Sequence, residues 1–178
     1  VDALAAIGEA AYRTLGMRPY PVQFMGALAL HAGWLAEMAT GEGKTLTAAL
    51  AAVLAAWSGE PVHLVTSNDY LAARDAEEMA PLYERCGVSV ASVVSTDKPD
   101  ERVARYGADV VYLTAKELLA EFLRDQLAVR AGHDPQRLAL RRWLGTVPHD
   151  AQAPQIQIRG LHSVIVDEAD NVLIDEAV

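Results

Sequence analysis

The 178-residue sequence holds one cysteine, Cys86. A lone thiol can form neither an intramolecular disulfide nor a cysteine metal cluster, which fits a reducing compartment and a small core side chain. Basic residues are also scarce: 15 Lys and Arg stand against 24 Asp and Glu, a formal net charge of −9. Phosphate backbones are bound mainly by clustered Lys and Arg, so this balance argues against a nucleic-acid partner. The one basic run, Arg124, Arg130, Arg137, Arg141 and Arg142, reads as a solvated helix face. No apolar stretch is long enough for a membrane span, and the N-terminus has no basic region followed by an apolar core. Both absences predict residence in the cytoplasm. His133, His149 and His162 are too scattered to read as a zinc set.

At 52% hydrophobic residues the chain has the composition of a soluble globular protein and the length to bury one core. Residues 1–178 are expected to form a single compact unit, without internal repeats.

The stretch Met38-Ala39-Thr40-Gly41-Glu42-Gly43-Lys44-Thr45 organises the rest. It lies between Trp34-Leu35-Ala36-Glu37, predicted as a short strand, and Leu46 to Trp57, an Ala/Leu-rich run predicted as a buried helix. That is the context of a phosphate-binding loop. Glycines let the backbone approach phosphate oxygens, the new helix points unpaired N–H groups at them, and Lys44 adds a full charge. The ligand is therefore expected to be a nucleotide polyphosphate, with the Thr45 hydroxyl on Mg²⁺. Met38 stands where the general pattern has its first glycine. The spelling A-T-G-E-G-K-T suits helicase-like motor ATPases better than kinases or small GTPases. A chance G-E-G-K-T in a surface turn is the competing reading, and only a second element decides.

Around the loop, Asp2 to Leu15 has helical apolar spacing and is followed by Gly16 as a stop. Met17 to Gln23 reads as a proline-punctuated turn and Phe24 to His31 as a helix. Gln23 lies eighteen residues before Gly41; a carboxamide carries both the donor and the acceptor that an adenine edge requires. Beyond the loop helix, strands are predicted at Val62 to Thr66, Val88 to Val94 and Asp109 to Leu113. Helices are predicted at Tyr70 to Arg85, capped by Ser67-Asn68-Asp69, over a short run to Tyr106, and at Ala115 to Leu127, capped by Thr114. Strands alternating with helices through short loops predict an α/β fold, a parallel sheet flanked by helices on both faces. From 128 to 160 the rhythm breaks into a variable connection, with a helix predicted over Asp134 to Leu144 and an exposed loop over Gly145 to Pro154.

The second element is Val164-Ile165-Val166-Asp167-Glu168-Ala169-Asp170, a β-branched run ending in adjacent carboxylates. Ligands of a parallel sheet sit beyond the carboxyl ends of its strands, so these acids are expected to share the crevice of the phosphate loop. Asp167 is assigned to the metal and Glu168 to the base that polarises attacking water. Val172-Leu173-Ile174-Asp175-Glu176 repeats the pattern, but it follows a helix start at Asp170-Asn171 and is passed over.

With both elements in place the chain resembles the first nucleotide-binding domain of the SecA family, ATPases that drive preproteins through the bacterial translocation channel. Gly16-Met17-Arg18-Pro19-Tyr20-Pro21-Val22-Gln23 is similar to the family's adenine-side segment, and Glu37 to Thr45 to its phosphate loop. Val65-Thr66-Ser67-Asn68-Asp69-Tyr70-Leu71-Ala72-Ala73-Arg74-Asp75-Ala76-Glu77 resembles its N-D-Y-L-A-x-R-D-A-E stretch, and Asp167 to Ala177 its D-E-x-D-x-x-L-I-D-E-A segment. The resemblance implies a RecA-like P-loop NTPase that uses ATP or ADP with Mg²⁺. It implies that Met17, Tyr20 and Gln23 contact adenine, that Gly41, Glu42, Gly43, Lys44 and Thr45 hold phosphate, and that Thr45 and Asp167 hold the metal. Lys44 and Glu168 carry the catalysis. Preproteins and the membrane channel would be met through other domains, with the whole protein peripherally associated with the inner membrane.

Three departures qualify it. Thr114 to Gln126 keeps only part of the family's T-N-N-E-F-G-F-D-Y-L-R-D-N segment, which suggests a divergent or accessory member. The connection 128–160 looks longer than the family norm. The chain also stops at Val178, near where the preprotein-binding insertion would begin, and lacks the second motor domain and its arginine, a contact worth ~10³ or more in rate. Weak nucleotide binding and poor hydrolysis by the isolated chain are therefore expected. Two other readings stay open: an RNA helicase of the D-E-A-D type, favoured by the spelling Asp167-Glu168-Ala169-Asp170, and a non-catalytic interaction module.

Overall fold

Val62-His63-Leu64-Val65-Thr66 is buried at all five positions, as a β-branched run must be when helices cover both faces of its sheet. This strand, β1 (Val62–Thr66), is central in a four-stranded parallel sheet of order β2-β3-β1-β4, with β2 at Val90–Ser92, β3 at Val110–Thr114 and β4 at Ser163–Val166. The computed structural model describes residues 2–128, 140, 143–144 and 156–172. The helices are α1 (Asp2–Leu15), α2 (Pro21–His31), α3 (Lys44–Ala56), α4 (Asp69–Arg85), α5 (Pro99–Arg105) and α6 (Ala115–Ala128).

Side chains of a strand alternate between faces, and the core divides accordingly. Val62, Leu64, Val110 and Tyr112 pack with α1, α3 and α4 on one face. Val111 and Leu113 pack with Val93, Tyr106 and Ile158, and with half-buried Leu118 and Phe122 of α6, on the other. The two-faced parallel architecture expected from the strand–helix alternation is the one observed. In α3 the buried face is mostly alanine, with Leu46, Leu50 and Val53; small side chains let the helix lie close to the sheet. Full burial of Leu50 alone contributes about 1.5–3 kcal/mol.

Register brings the functional ends together. Val62 is level with Val110 and Ser163, and Val65 with Leu113 and Val166, so β1, β3 and β4 finish at one edge. Beyond that edge Asn68 caps α4, its side chain accepting from the Leu71 N–H at 2.9 Å. Thr114 caps α6 by accepting from the Glu117 N–H at 3.3 Å. The return to β4 is pinned by Asp125, buried in α6, whose two carboxylate oxygens accept from the backbone N–H groups of Gln157 and Ile158 at 3.1 and 2.9 Å.

The structure corrects the sequence reading at three places. Trp34 to Glu37 forms no strand: a strand exists only by pairing, no described residue pairs with this segment, and Trp34 and Leu35 are 72% and 85% exposed. Helix α2 begins at Pro21 rather than Phe24, because proline at its first turn presets φ and Gln23 satisfies the N–H of Tyr20. The strand expected over Val88 to Val94 is paired only from Val90 to Ser92. Of the helix expected over Asp134 to Leu144, only Leu140, Trp143 and Leu144 lie among the described residues, with one helical bond from the Leu144 N–H to the Leu140 carbonyl at 2.9 Å. The expected loop over Gly145 to Pro154, the residues His133 and His149, and the second acidic pair Asp175-Glu176 lie outside them.

Candidate nucleotide-binding site

A turn over Thr40 to Gly43 leads into α3, with Gly41 at φ +87° and Gly43 at φ +79°. Both lie in the left-handed region, which costs an L side chain about 1–2 kcal/mol, so glycine is the residue that lets this loop form. Gly43 is the N-cap of α3 and supplies no side-chain cap. The first N–H groups of that helix are thereby left for an external acceptor. Lys44 is exposed and makes no ion pair or hydrogen bond among the described residues. Thr45, half-buried in the first turn, has an equally unpartnered hydroxyl. Met38, which replaces the expected first glycine, is half-buried and lies against α2, its sulfur 3.4 Å from where a Cβ on Gly26 would stand.

Two groups of the assigned residues come together. The first joins the adenine-side segment to the loop: the Gln23 Oε1 accepts from the Tyr20 N–H at 2.8 Å, while its Nε2 donates to the carbonyls of Glu42 and Gly43 at 3.0 and 3.3 Å. Tyr20 is 70% exposed and Met17 39%, an open apolar face leading into α2. The Glu42 carboxylate folds back to accept from the Ala39 N–H at 2.9 Å, closing the loop on itself.

The second group is electrostatic. The Asp167 N–H donates to the Val65 carbonyl at 2.8 Å, continuing the ladder of β4 one residue past its end. Burial pushes the Asp167 carboxyl above its ordinary value. The charges of Glu168 and Asp75 add to that, while the Glu168 N–H, donated at 2.9 Å, and the Lys44 ammonium oppose it. Lys44 at the start of α3 and Asp167 just past the end of β4 thus act on each other through charge, without a direct hydrogen bond or ion pair among the described residues. The half-buried Asp167 carboxylate and the unpartnered Thr45 hydroxyl are hard oxygens, the donor type that suits Mg²⁺. The exposed lysine at a helix N-terminus fits a polyphosphate.

Glu168 is exposed and sits at φ +54°, the only non-glycine residue with positive φ among the described residues. A left-handed acidic residue directly after Asp167 is backbone strain of the kind that collects at functional sites, on the order of 1–3 kcal/mol. A helical turn follows over 169–172, its Val172 N–H bonded to the Glu168 carbonyl at 3.1 Å.

Sequence reasoning missed Asp75. It lies in the quoted Arg74-Asp75 step and carries no assigned role there, yet its side chain is 5% exposed, bonded by Arg74 Nε and Nη2 at 2.8 and 2.6 Å, and its charge acts on Asp167. Its position in α4, three residues after Ala72 and four before Met79, was the available signal: that spacing puts it on the buried face of the helix. His162, one of the three histidines too scattered for a zinc set, lies 3.2 Å from the Glu60 carboxylate, both half exposed. Arg124, from the basic run, pairs with buried Glu121 at 2.6 Å. Cys86 is half-buried and in no disulfide.

Comparison with known proteins agrees with this geometry. The chain is 59% identical over 177 residues to "Protein translocase subunit SecA 2" of Magnetococcus marinus, covering 98% of this chain and 27% of that protein. It is 51% identical over 175 residues to "Protein translocase subunit SecA 2" of Chlorobium chlorochromatii, covering 98% and 26%. To "Protein translocase subunit SecA" of Alcanivorax borkumensis it is 46% identical over 176 residues, covering 99% and 17%. It thus spans about a quarter or less of the length of these relatives. Among solved structures, a hypothetical ATP-dependent RNA helicase from Sulfolobus tokodaii superposes with a TM-score of 0.57 at 22% identity, over 97% of this chain and 43% of that one. That likeness is one of fold, and it is the helicase-like α/β fold expected from the two motifs. The model of the SecA DEAD-like domain matches residues 1–178, and the chain belongs to that family.

Proposed function

We propose that this chain is the ATP-binding half of a SecA-type motor, one nucleotide-binding domain that works with a second to couple ATP hydrolysis to preprotein export. The observation that carries the reading is the left-handed turn at Gly41 and Gly43 that opens α3 on an exposed Lys44, while β4 runs out into Asp167 at the carboxyl edge of the same sheet. A cation at a helix N-terminus and a carboxylate at the end of a parallel strand are the two charges that a ligand carrying both phosphate and metal requires.

In this reading the exposed rim formed by Met17 and Tyr20 receives the adenine together with Gln23. Gly41 to Thr45 present their backbone N–H groups to the phosphates, and Lys44 neutralises a phosphate oxygen. Thr45 and Asp167 hold Mg²⁺, which supplies positive charge to the phosphate oxygens when bound. Glu168, exposed beside Asp167, accepts the proton of the attacking water. The rest of such a protein would supply the second motor domain, the preprotein contacts and the association with the inner-membrane channel. Among the described residues no helix is long and apolar enough to cross a membrane, and the acidic balance supports a protein rather than a nucleic-acid cargo.

Calorimetric titration of Mg·ADP and Mg·ATP into this chain tests the site. Binding is expected, with slow turnover, and Lys44→Ala is expected to abolish it. Equal affinity of the two proteins would overturn the assignment of the loop.

A further inference from the structure

Gln23 is 5% exposed, and every hydrogen-bonding position of its carboxamide that meets the backbone is engaged within the protein. The assignment of its two ends is fixed by chemistry. Oxygen faces the Tyr20 N–H at 2.8 Å, and nitrogen faces two carbonyls, Glu42 at 3.0 Å and Gly43 at 3.3 Å. Turned over, the amide would set donor against donor and an oxygen against two oxygens. The Gly43 carbonyl also accepts from the Thr47 N–H and hydroxyl, both at 3.1 Å, so this nitrogen reaches the point where loop becomes helix. The approach is so close that a Cβ on Gly43 would stand 2.1 Å from Gln23 Nε2.

We propose that Gln23 is a positioning residue of the phosphate loop, holding the Glu42 and Gly43 carbonyls so that the N–H groups of the loop and of the first turn of α3 stay directed at phosphate. The loop has few other ties. Gly41 and Gly43 give it backbone freedom, the Glu42 carboxylate bonds only within it, and the preceding Trp34 to Glu37 is unpaired. A carbonyl held from behind by a donor fixes its peptide plane, and with it the N–H of the following residue. Nε2 already donates to the two loop carbonyls, so a base that takes this nitrogen draws the amide off the loop. Arrival of adenine and the shape of the phosphate cradle are thereby coupled through one side chain.

The inference rests on the nucleotide reading above, and its test separates the two. This chain and its Gln23→Ala and Gln23→Glu variants are titrated with Mg·ATP and with Mg·tripolyphosphate, which has no base. Hydrogen exchange of the 39–45 segment is followed without ligand. Gln23→Glu keeps an acceptor for the Tyr20 N–H but sets a carboxylate against the two carbonyls, so it removes the tether and spares the cap of α2. Both variants are expected to lose about 5- to 10-fold in tripolyphosphate affinity, the scale of one or two hydrogen bonds, and to exchange faster in the loop but not in α2 for Gln23→Glu. Loss of ATP affinity with unchanged tripolyphosphate affinity and unchanged loop exchange would overturn the inference and leave a base-contacting role alone. Failure of the unaltered chain to bind either ligand would overturn the nucleotide reading and this inference with it.

Discussion

The hydroxyls of Tyr83 and Tyr112 meet at 2.8 Å in the interior, joining α4 to β3, with their rings edge to face at 6.3 Å. Burial holds both phenols protonated, far above their ordinary range. The negative charge of Asp75 acts on both phenols and on Asp167, and the tyrosine pair helps fix the helix that carries Asp75. Tyr83→Phe is expected to cost about 1–2 kcal/mol, because it leaves the Tyr112 hydroxyl buried and unpaired. Adding Tyr112→Phe removes the orphan, so the double variant is expected to be no less stable than the single one in urea unfolding. Additive losses would show that the two hydroxyls do not depend on each other.

Asp167 predicts a pH dependence of definite sign. Its folded-state pKa lies above the ordinary carboxylate value, so the folded form holds its proton to higher pH and the ligand-free protein gains stability as pH falls into that range. At neutral pH the buried charge is a cost. Asp167→Asn is expected to raise the melting temperature at pH 7, by roughly 0.5–1 kcal/mol of stability, the usual sign when an unfavourable functional charge is removed. A lower melting temperature at pH 7 would contradict the charge arrangement described above.

The opposite sign applies to His63, buried in β1, whose pKa is lowered by desolvation. Its imidazole stays neutral in the folded form while the unfolded chain takes up a proton below pH 6.5. Stability from this residue is complete above that pH and is lost as pH falls through it. Its Nδ1 has no partner, so His63→Leu is expected to flatten the dependence of melting temperature between pH 7 and 5. An unchanged slope would place the titration elsewhere.

Glu168 separates strain from chemistry. At φ +54°, Glu168→Gly is expected to stabilise the ligand-free protein by about 0.5–1 kcal/mol by relieving the left-handed backbone. Glu168→Gln keeps the strain and is expected to leave stability unchanged, while slowing hydrolysis without loss of nucleotide binding. Equal melting temperatures for all three proteins would mean that the conformation carries no strain.

The sequence by itself determined the alternation of elements, and hence a parallel sheet with helices on both faces, because the period of apolar residues and the placement of caps are local properties. It also determined where Gly41 to Thr45, Asp167 and Glu168 stand, at points where one element hands over to the next. Only the tertiary structure decided what those residues meet. That Trp34 to Glu37 stays unpaired depends on which strands adjoin it, and pairing is not written in a strand's own pattern. That Asp75 acts on Asp167, ninety-two positions away along the chain by their numbering, depends on α4 packing across β3 and β1 of the same sheet that β4 completes. Gln23 shows the division most clearly: residue type gave it an amide able to read a base, but the fold turned that amide toward Glu42 and Gly43. A side chain with both a donor and an acceptor takes whichever partners packing brings within 3 Å or so, and packing is decided by the whole chain.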